Sequence, residues 1–375
     1  MSEKSLCRTW ATLCVAVLLT AAHAGGQGAA GDNKGGQAAA PVPSPAAGTD
    51  WVAPQGTAVS VNRRTGRVSM ALPTQPIDGS AEEAIRFEEW RLHPYAGSGP
   101  YPATREEPDS LPTHTIYRPA DLAKTPKLPI LLWANGGCRN TSVEFTRFLG
   151  EIASQGYLVI AVGRSNVPFM IINFNGGLGV IGSTKPYDGP APLTVSDANI
   201  LLKGLDWAVA ENDRSGSPLH GKLDTSQVAA AGQSCGGPQA FRVARDPRIK
   251  TIVSLNSGLP VKQAGAATSS ADAWTADKLT VPAALFEGGP ADLGYAGGEQ
   301  TFAALPATLP ALKVEMPLLG HTGAYPMPDI RWTEAVLAWL DWRLKGNASA
   351  MAMFAGPNCR MCSDTEVWIE TRNIP

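Results

Sequence analysis

The segment Gly232-Gln233-Ser234-Cys235-Gly236 constrains this chain more than any other. It follows an apolar run at residues 228–231 and precedes Gly237, Ala240, Phe241 and Val243, whose spacing suits a helix packed behind a strand. A serine bracketed by glycines in that context predicts a strand that turns sharply into a helix and lifts the hydroxyl off the end of a sheet. The glycines leave room for the tight turn.

Such a turn belongs on a parallel sheet, and the surrounding sequence supplies the parts. Residues 113–117 alternate like an early antiparallel strand, and residues 128–133 read as a buried one. A helix is predicted over 142–154, with Val143, Phe145, Phe148, Leu149 and Ile152 inward and Gly156 at its end. A strand at 157–162 and a helix at 196–211 capped by Ser196 come next. After the serine, strands are predicted at 249–255, 281–287 and 312–318, and a long helix at 330–344. In that last helix Trp332, Val336, Trp339 and Leu340 recur at helical spacing and read as a core face. The repeated exchange of short apolar runs with helical patterns predicts an α/β fold, a mostly parallel sheet with helices on both faces. With 375 residues, 44% of them hydrophobic, the chain can bury one large core.

Residues 1–24 read as a signal peptide: Lys4 and Arg8 lead an apolar run at 11–22, and Ala22-His23-Ala24 offers a small-x-small cleavage site. The run is shorter than the roughly 20 residues that span a bilayer, so no membrane span is expected and the chain is expected to be secreted or periplasmic. Residues 25–50, rich in Gly, Ala and Pro, form a linker with little to bury. Residues 51–100 read as an amino-terminal cover with one short helix at 81–90, residues 101–345 as the catalytic domain, and residues 346–375 as a tail. The 31 basic and 33 acidic residues are interleaved and leave a net charge of -2, so no basic stripe invites nucleic acid.

A serine hydroxyl at neutral pH needs a base, and the tetrahedral oxyanion it would form needs preorganised donors. One donor is expected from the backbone N–H of Cys235, at the start of the helix. The other is expected from the glycine turn Ala134-Asn135-Gly136-Gly137-Cys138, where Gly137 is the first choice and Gly136 and Cys138 are alternatives. His321 lies in the glycine-flanked loop after the 312–318 strand, and Asp292 lies on the loop after the 281–287 strand, with Glu287 as runner-up acid. The order Ser234, Asp292, His321 is one of the known chain orders of a Ser-His-Asp triad. Because an unperturbed histidine titrates near ~6.5, a rate that rises through mildly acidic pH is expected.

Removing residues 1–24 leaves four cysteines. An even number in an oxidising compartment suggests disulfides. Of the three connectivities, Cys138 with Cys235 and Cys359 with Cys362 is favoured. The first would fasten together the two loops expected to hold the oxyanion, and the second would pin the tail. The Cys359-x-x-Cys362 pair has no βαβ start or following histidine to make it a redox or zinc motif.

These residues resemble the α/β-hydrolase superfamily over roughly residues 100–345, and within it secreted enzymes of the dienelactone hydrolase and cutinase-like polyester hydrolase branch. The resemblance implies an eight-stranded core and a triad of Ser234, Asp292 and His321. Two features depart from it: a serine stands where dienelactone hydrolases carry cysteine, and no long insertion resembles a lipase lid. The expected activity is hydrolysis of a small-molecule or polymeric carboxylic ester, with no cofactor and no metal. An amidase or peptidase using the same triad is one alternative. The other is an inactive binding protein on the same scaffold, hinted at by Asn135, where such enzymes often carry histidine.

Overall fold

The structure is a computed structural model that describes residues 58–61, 68–71, 95–164, 170–172, 178–180, 198–259, 275–290, 292–317, 319–321 and 330–374. All lie in one of the two compact units into which the chain divides, Ala53–Pro375. The expected signal peptide, the linker and the 81–90 helix lie outside the described residues.

In chain order the strands are β1 (Ala58–Val61), β2 (Val68–Ala71), β3 (Ala103–Glu106), β4 (His114–Pro119), β5 (Leu128–Ala134), β6 (Leu158–Val162), β7 (Met170–Ile172), β8 (Leu178–Val180), β9 (Leu223–Gln233), β10 (Ile249–Leu255), β11 (Ala283–Glu287), β12 (Ala311–Glu315) and β13 (Trp368–Arg372). The α-helices are α1 (Thr146–Ser154), α2 (Asn199–Asp213), α3 (Gly236–Val243), α4 (Tyr295–Ala304) and α5 (Ile330–Lys345). β1 with β2, and β7 with β8, form two-stranded antiparallel ribbons.

The other nine strands make one mixed sheet in the order β13-β12-β11-β10-β9-β5-β6-β4-β3. The six from β12 to β6 are parallel to one another, and β13, β4 and β3 are added antiparallel at the edges. The expected count of eight is therefore corrected to nine. The tail contributes a strand: β13 pairs along the whole of β12, and Met361 and Val367 are buried in the core.

Side chains alternate between two hydrophobic layers, as the two-residue period of a strand requires. Leu131 and Trp133 of β5, Val253 and Leu255 of β10, and Phe286 of β11 pack with Phe148, Leu149 and Ile152 of α1 and with Trp332, Val336, Trp339 and Leu340 of α5. Ile130, Leu132, Ile252 and Leu285 face the other way, toward Leu201 and Leu205 of α2, Phe241 of α3 and Phe302 of α4. With both faces covered, the central strands can be continuously apolar, which is why they stood out as unbroken runs in the sequence.

Several boundaries move. The 142–154 helix divides into a 3-10 turn, Val143–Phe145, and α1. The 196–211 helix begins at Asn199 after Ala198, which offers no side-chain cap; Ser196 lies outside the described residues. α4 went unforeseen because Gly297 and Gly298 lower local helix propensity. Packing explains Gly298, where a Cβ would lie 2.1 Å from a Glu287 carboxylate oxygen.

Candidate active site

Ser234 sits at the carboxyl end of β9, at the middle of the sheet, with φ +50°. A non-glycine residue in that region is strained by about 1–2 kcal/mol, so its surroundings must hold it. They do so through the backbone. The Ser234 N–H donates to the Leu255 carbonyl at 2.9 Å, and the Ser234 carbonyl accepts from the Gly237 N–H at 3.0 Å and from Ser257 Oγ at 2.6 Å. The flanking glycines are required sterically. A Cβ at Gly232 would lie 2.2 Å from the Gly236 carbonyl oxygen, and one at Gly236 would lie 2.1 Å from the Ala134 carbonyl oxygen.

His321 reaches this elbow from the loop after β12. Its Nε2 is 2.9 Å from Ser234 Oγ, and its Nδ1 is 2.5 Å from Asp292 Oδ1. With the proton on Nδ1, the ring donates to the carboxylate and accepts from the serine hydroxyl. His114 is buried against the Ile200 carbonyl, and His220 is exposed beside the Asn212 carbonyl, so neither approaches Ser234. His93 lies outside the described residues.

Asp292 stands on the turn after β11, with its side chain wholly shielded from solvent. Burial opposes its charge, but the hydrogen bonds from His321, from Asn256 Nδ2 and from the Gly294 N–H outweigh burial and hold its carboxyl below the usual aspartate range. The Gly288 N–H adds a further bond at 2.9 Å. Glu287, the alternative acid, is directed elsewhere: it is fully buried against Gly298, and burial together with the nearby Asp292 and Glu315 pushes its carboxyl well above the usual range.

The glycine turn after β5 lies against the elbow. Gly137 and Cys138 both have positive φ, +59° and +50°. A Cβ on Gly136 would stand 3.6 Å from that of Ser234. Cys138 and Cys235 form a disulfide with Cα atoms 5.2 Å apart, and Cys359 and Cys362 form a second. The expected oxyanion donors, on Cys235 and Gly137, thus belong to two loops that are covalently joined beside Ser234. Asn135 has a structural task. Its Oδ1 accepts from the Trp133 indole at 2.9 Å, and its Nδ2 donates to the Val162 and Arg139 carbonyls at 2.6 and 3.0 Å, tying the ends of β5 and β6 to the turn.

Beside Ser234 and His321 opens a cavity of about 230 Å³, bordered by Asn256, Ser257, Leu259, Leu293 and Gly297. Leu293 is 87% exposed at its rim. Among the described residues no cluster of acidic, histidine and cysteine side chains is arranged to hold a metal ion, and no helix is long and apolar enough to cross a membrane.

Sequence reasoning missed Asn256, Ser257 and Gln233. Asn256, at φ +49°, donates to both Asp292 and the Gly320 carbonyl. The signal available was Asn-Ser-Gly directly after a predicted strand, since asparagine tolerates that backbone region. No protein-family model and no curated protein matches the chain.

Proposed function

We propose that this chain is a serine hydrolase of the α/β-hydrolase fold that cleaves carboxylic esters. The observation that carries the reading is the continuous chain of contacts from Ser234 Oγ through the His321 ring to the shielded Asp292 carboxylate, mounted on a strained strand-to-helix turn.

His321 Nε2 takes the hydroxyl proton as Ser234 Oγ attacks the acyl carbon, while Asp292 holds the ring orientation and stabilises the imidazolium. The backbone N–H groups of Cys235 and of the 136–138 turn receive the developing oxyanion. The imidazolium then protonates the departing alcohol, and the ester bond breaks to leave an acyl-serine. Water, deprotonated by the same ring, releases the acid and restores the hydroxyl. The cavity of about 230 Å³ suits a short acyl group, and the exposed Leu293 offers an apolar edge to a larger ester. The basic and apolar pattern of residues 1–24 and the two cysteine pairs support export from the cytosol.

A fluorophosphonate probe should label the folded wild-type protein at Ser234 and fail to label Ser234→Ala, and p-nitrophenyl acetate should be hydrolysed faster than the matching anilide. Folded wild-type protein that neither labels nor turns over the ester overturns the reading. Preference for the anilide moves it to an amidase.

A further inference from the structure

Both neighbours of Ser234 in the chain reach out to the loops that complete the site. Cys235 is bonded to Cys138 of the glycine turn. Gln233 does something different, and it is buried to 3% exposure. Its Nε2 donates to the main-chain carbonyl of His321 at 3.0 Å. Its Oε1 occupies the place that a side chain at Gly136 would take, 1.8 Å from where that Cβ would be. One planar amide therefore touches the base loop with one end and the oxyanion turn with the other.

We propose that Gln233 is a positioning residue that sets the His321 loop and the Gly136 turn in register with the nucleophile, an inference that rests on the serine-hydrolase reading above. The physical need is specific. His321 comes from a segment 87 positions away from Ser234, and its ring is held at Nδ1 by Asp292. That contact fixes the ring's tilt toward the acid but leaves the height of its own backbone to other supports. Asn256 holds the carbonyl of Gly320, and Gln233 holds that of His321, so successive carbonyls of the base loop are tied to two strand ends, those of β10 and β9. The amide is neutral as well as long enough. A carboxylate here would lie beside an imidazole that must change charge during each turnover, and would favour its protonated form.

Gln233→Met keeps length and apolar bulk while removing the donor, and Gln233→Glu adds charge at the same place. Gln233→Met should lower kcat for p-nitrophenyl acetate about tenfold, in keeping with the sensitivity of such reactions to sub-ångström misplacement, with KM and melting temperature held. Gln233→Glu should move the His321 imidazole titration, followed by NMR, to higher pH, and the acid limb of kcat/KM with it. Gln233→Met turning over at the wild-type rate overturns the proposal, and so does a His321 titration unmoved by Gln233→Glu. Failure of wild-type protein to label with fluorophosphonate is a separate result that removes the hydrolase reading, while the NMR titration still reports whether Gln233 acts on His321.

Discussion

Asn256 Nδ2 lies 2.7 Å from Asp292 Oδ2, the carboxylate oxygen that His321 does not use. The acid is thereby held from both sides, and the same amide nitrogen reaches the Gly320 carbonyl at 2.9 Å. Asn256→Asp keeps a residue that tolerates positive φ but puts a second carboxyl against the first. Two carboxyls in contact cannot both ionise readily, so Asp292 should hold its proton to higher pH. The expected outcome is a fall in kcat of at least tenfold with the acid limb displaced upward, measured on an ester across pH 4 to 9. Asn256→Gly, which keeps the backbone freedom without the charge, should lower kcat and leave the limb in place. Superimposable profiles for Asn256→Asp and wild type would contradict the role.

The Cys138–Cys235 disulfide joins the two loops that carry the expected oxyanion donors. Reduction leaves both donors present but loosens their spacing, so the loss should be smaller than the roughly 10² to 10³ that follows deletion of one donor. A fall in kcat of about tenfold with KM little changed is expected. A Cys359→Ala/Cys362→Ala background removes the second disulfide from consideration, and free thiols are counted by mass. Full kcat in protein shown to be reduced at both Cys138 and Cys235 would refute the coupling.

Glu287 links stability to pH in the sense opposite to a salt-bridged acid. Burial, with Asp292 and Glu315 nearby, raises its carboxyl in the folded state, whereas in the unfolded chain it ionises near ~4.3. Above that point the folded state holds a proton that the unfolded state has released, so stability contributed by this group falls as pH rises. Glu287→Gln removes the penalty. Its melting temperature relative to wild type should climb steadily between pH 4 and 7. Parallel melting curves for the two proteins over that range would show that the group is not perturbed.

Glycines near the site differ in what they can tolerate. Gly236→Ala places a Cβ 2.1 Å from the Ala134 carbonyl, so β5 or α3 must shift; a cost of about 1–3 kcal/mol and a large loss of kcat are expected. Gly297→Ala meets nothing closer than 3.6 Å and lies within α4, where alanine favours the helix by about 0.5–1 kcal/mol. Urea unfolding should therefore separate the two variants in opposite directions. Equal destabilisation by both would mean that the elbow has more slack than its contacts indicate.

The parts of this molecule that could be read along the chain are those whose cause is local. Gly232 and Gly236 announce a turn because only glycine fits it, and the apolar runs that became β5, β6, β9 and β10 announce strands covered on both faces. The positions of Ser234, Asp292 and His321 at the ends of separate strands were legible for the same reason, since each follows a recognisable run. Elements with weak local signals were missed. α4 carries two glycines, of which Gly298 is needed for close packing on Glu287, and β13 follows a cysteine-bearing tail and takes the edge of β12 as its template.

Distance decided the remainder. That Asp292 rather than Glu287 meets His321 depends on where a turn after β11 aims each side chain, and successive strand residues point to opposite faces. Asn135, a candidate sign of lost activity, proves to be spent on its chain neighbours Trp133 and Arg139 and on Val162, a partner that only the adjacency of β5 and β6 brings within reach. Asn256 and Gln233 have only weak local signals, which do not say what their amides will bind. Their importance comes from hydrogen bonds to residues 36 to 88 positions away, and a sequence, which orders residues along a line, holds no record of which distant carbonyl a buried amide will find once the sheet has closed.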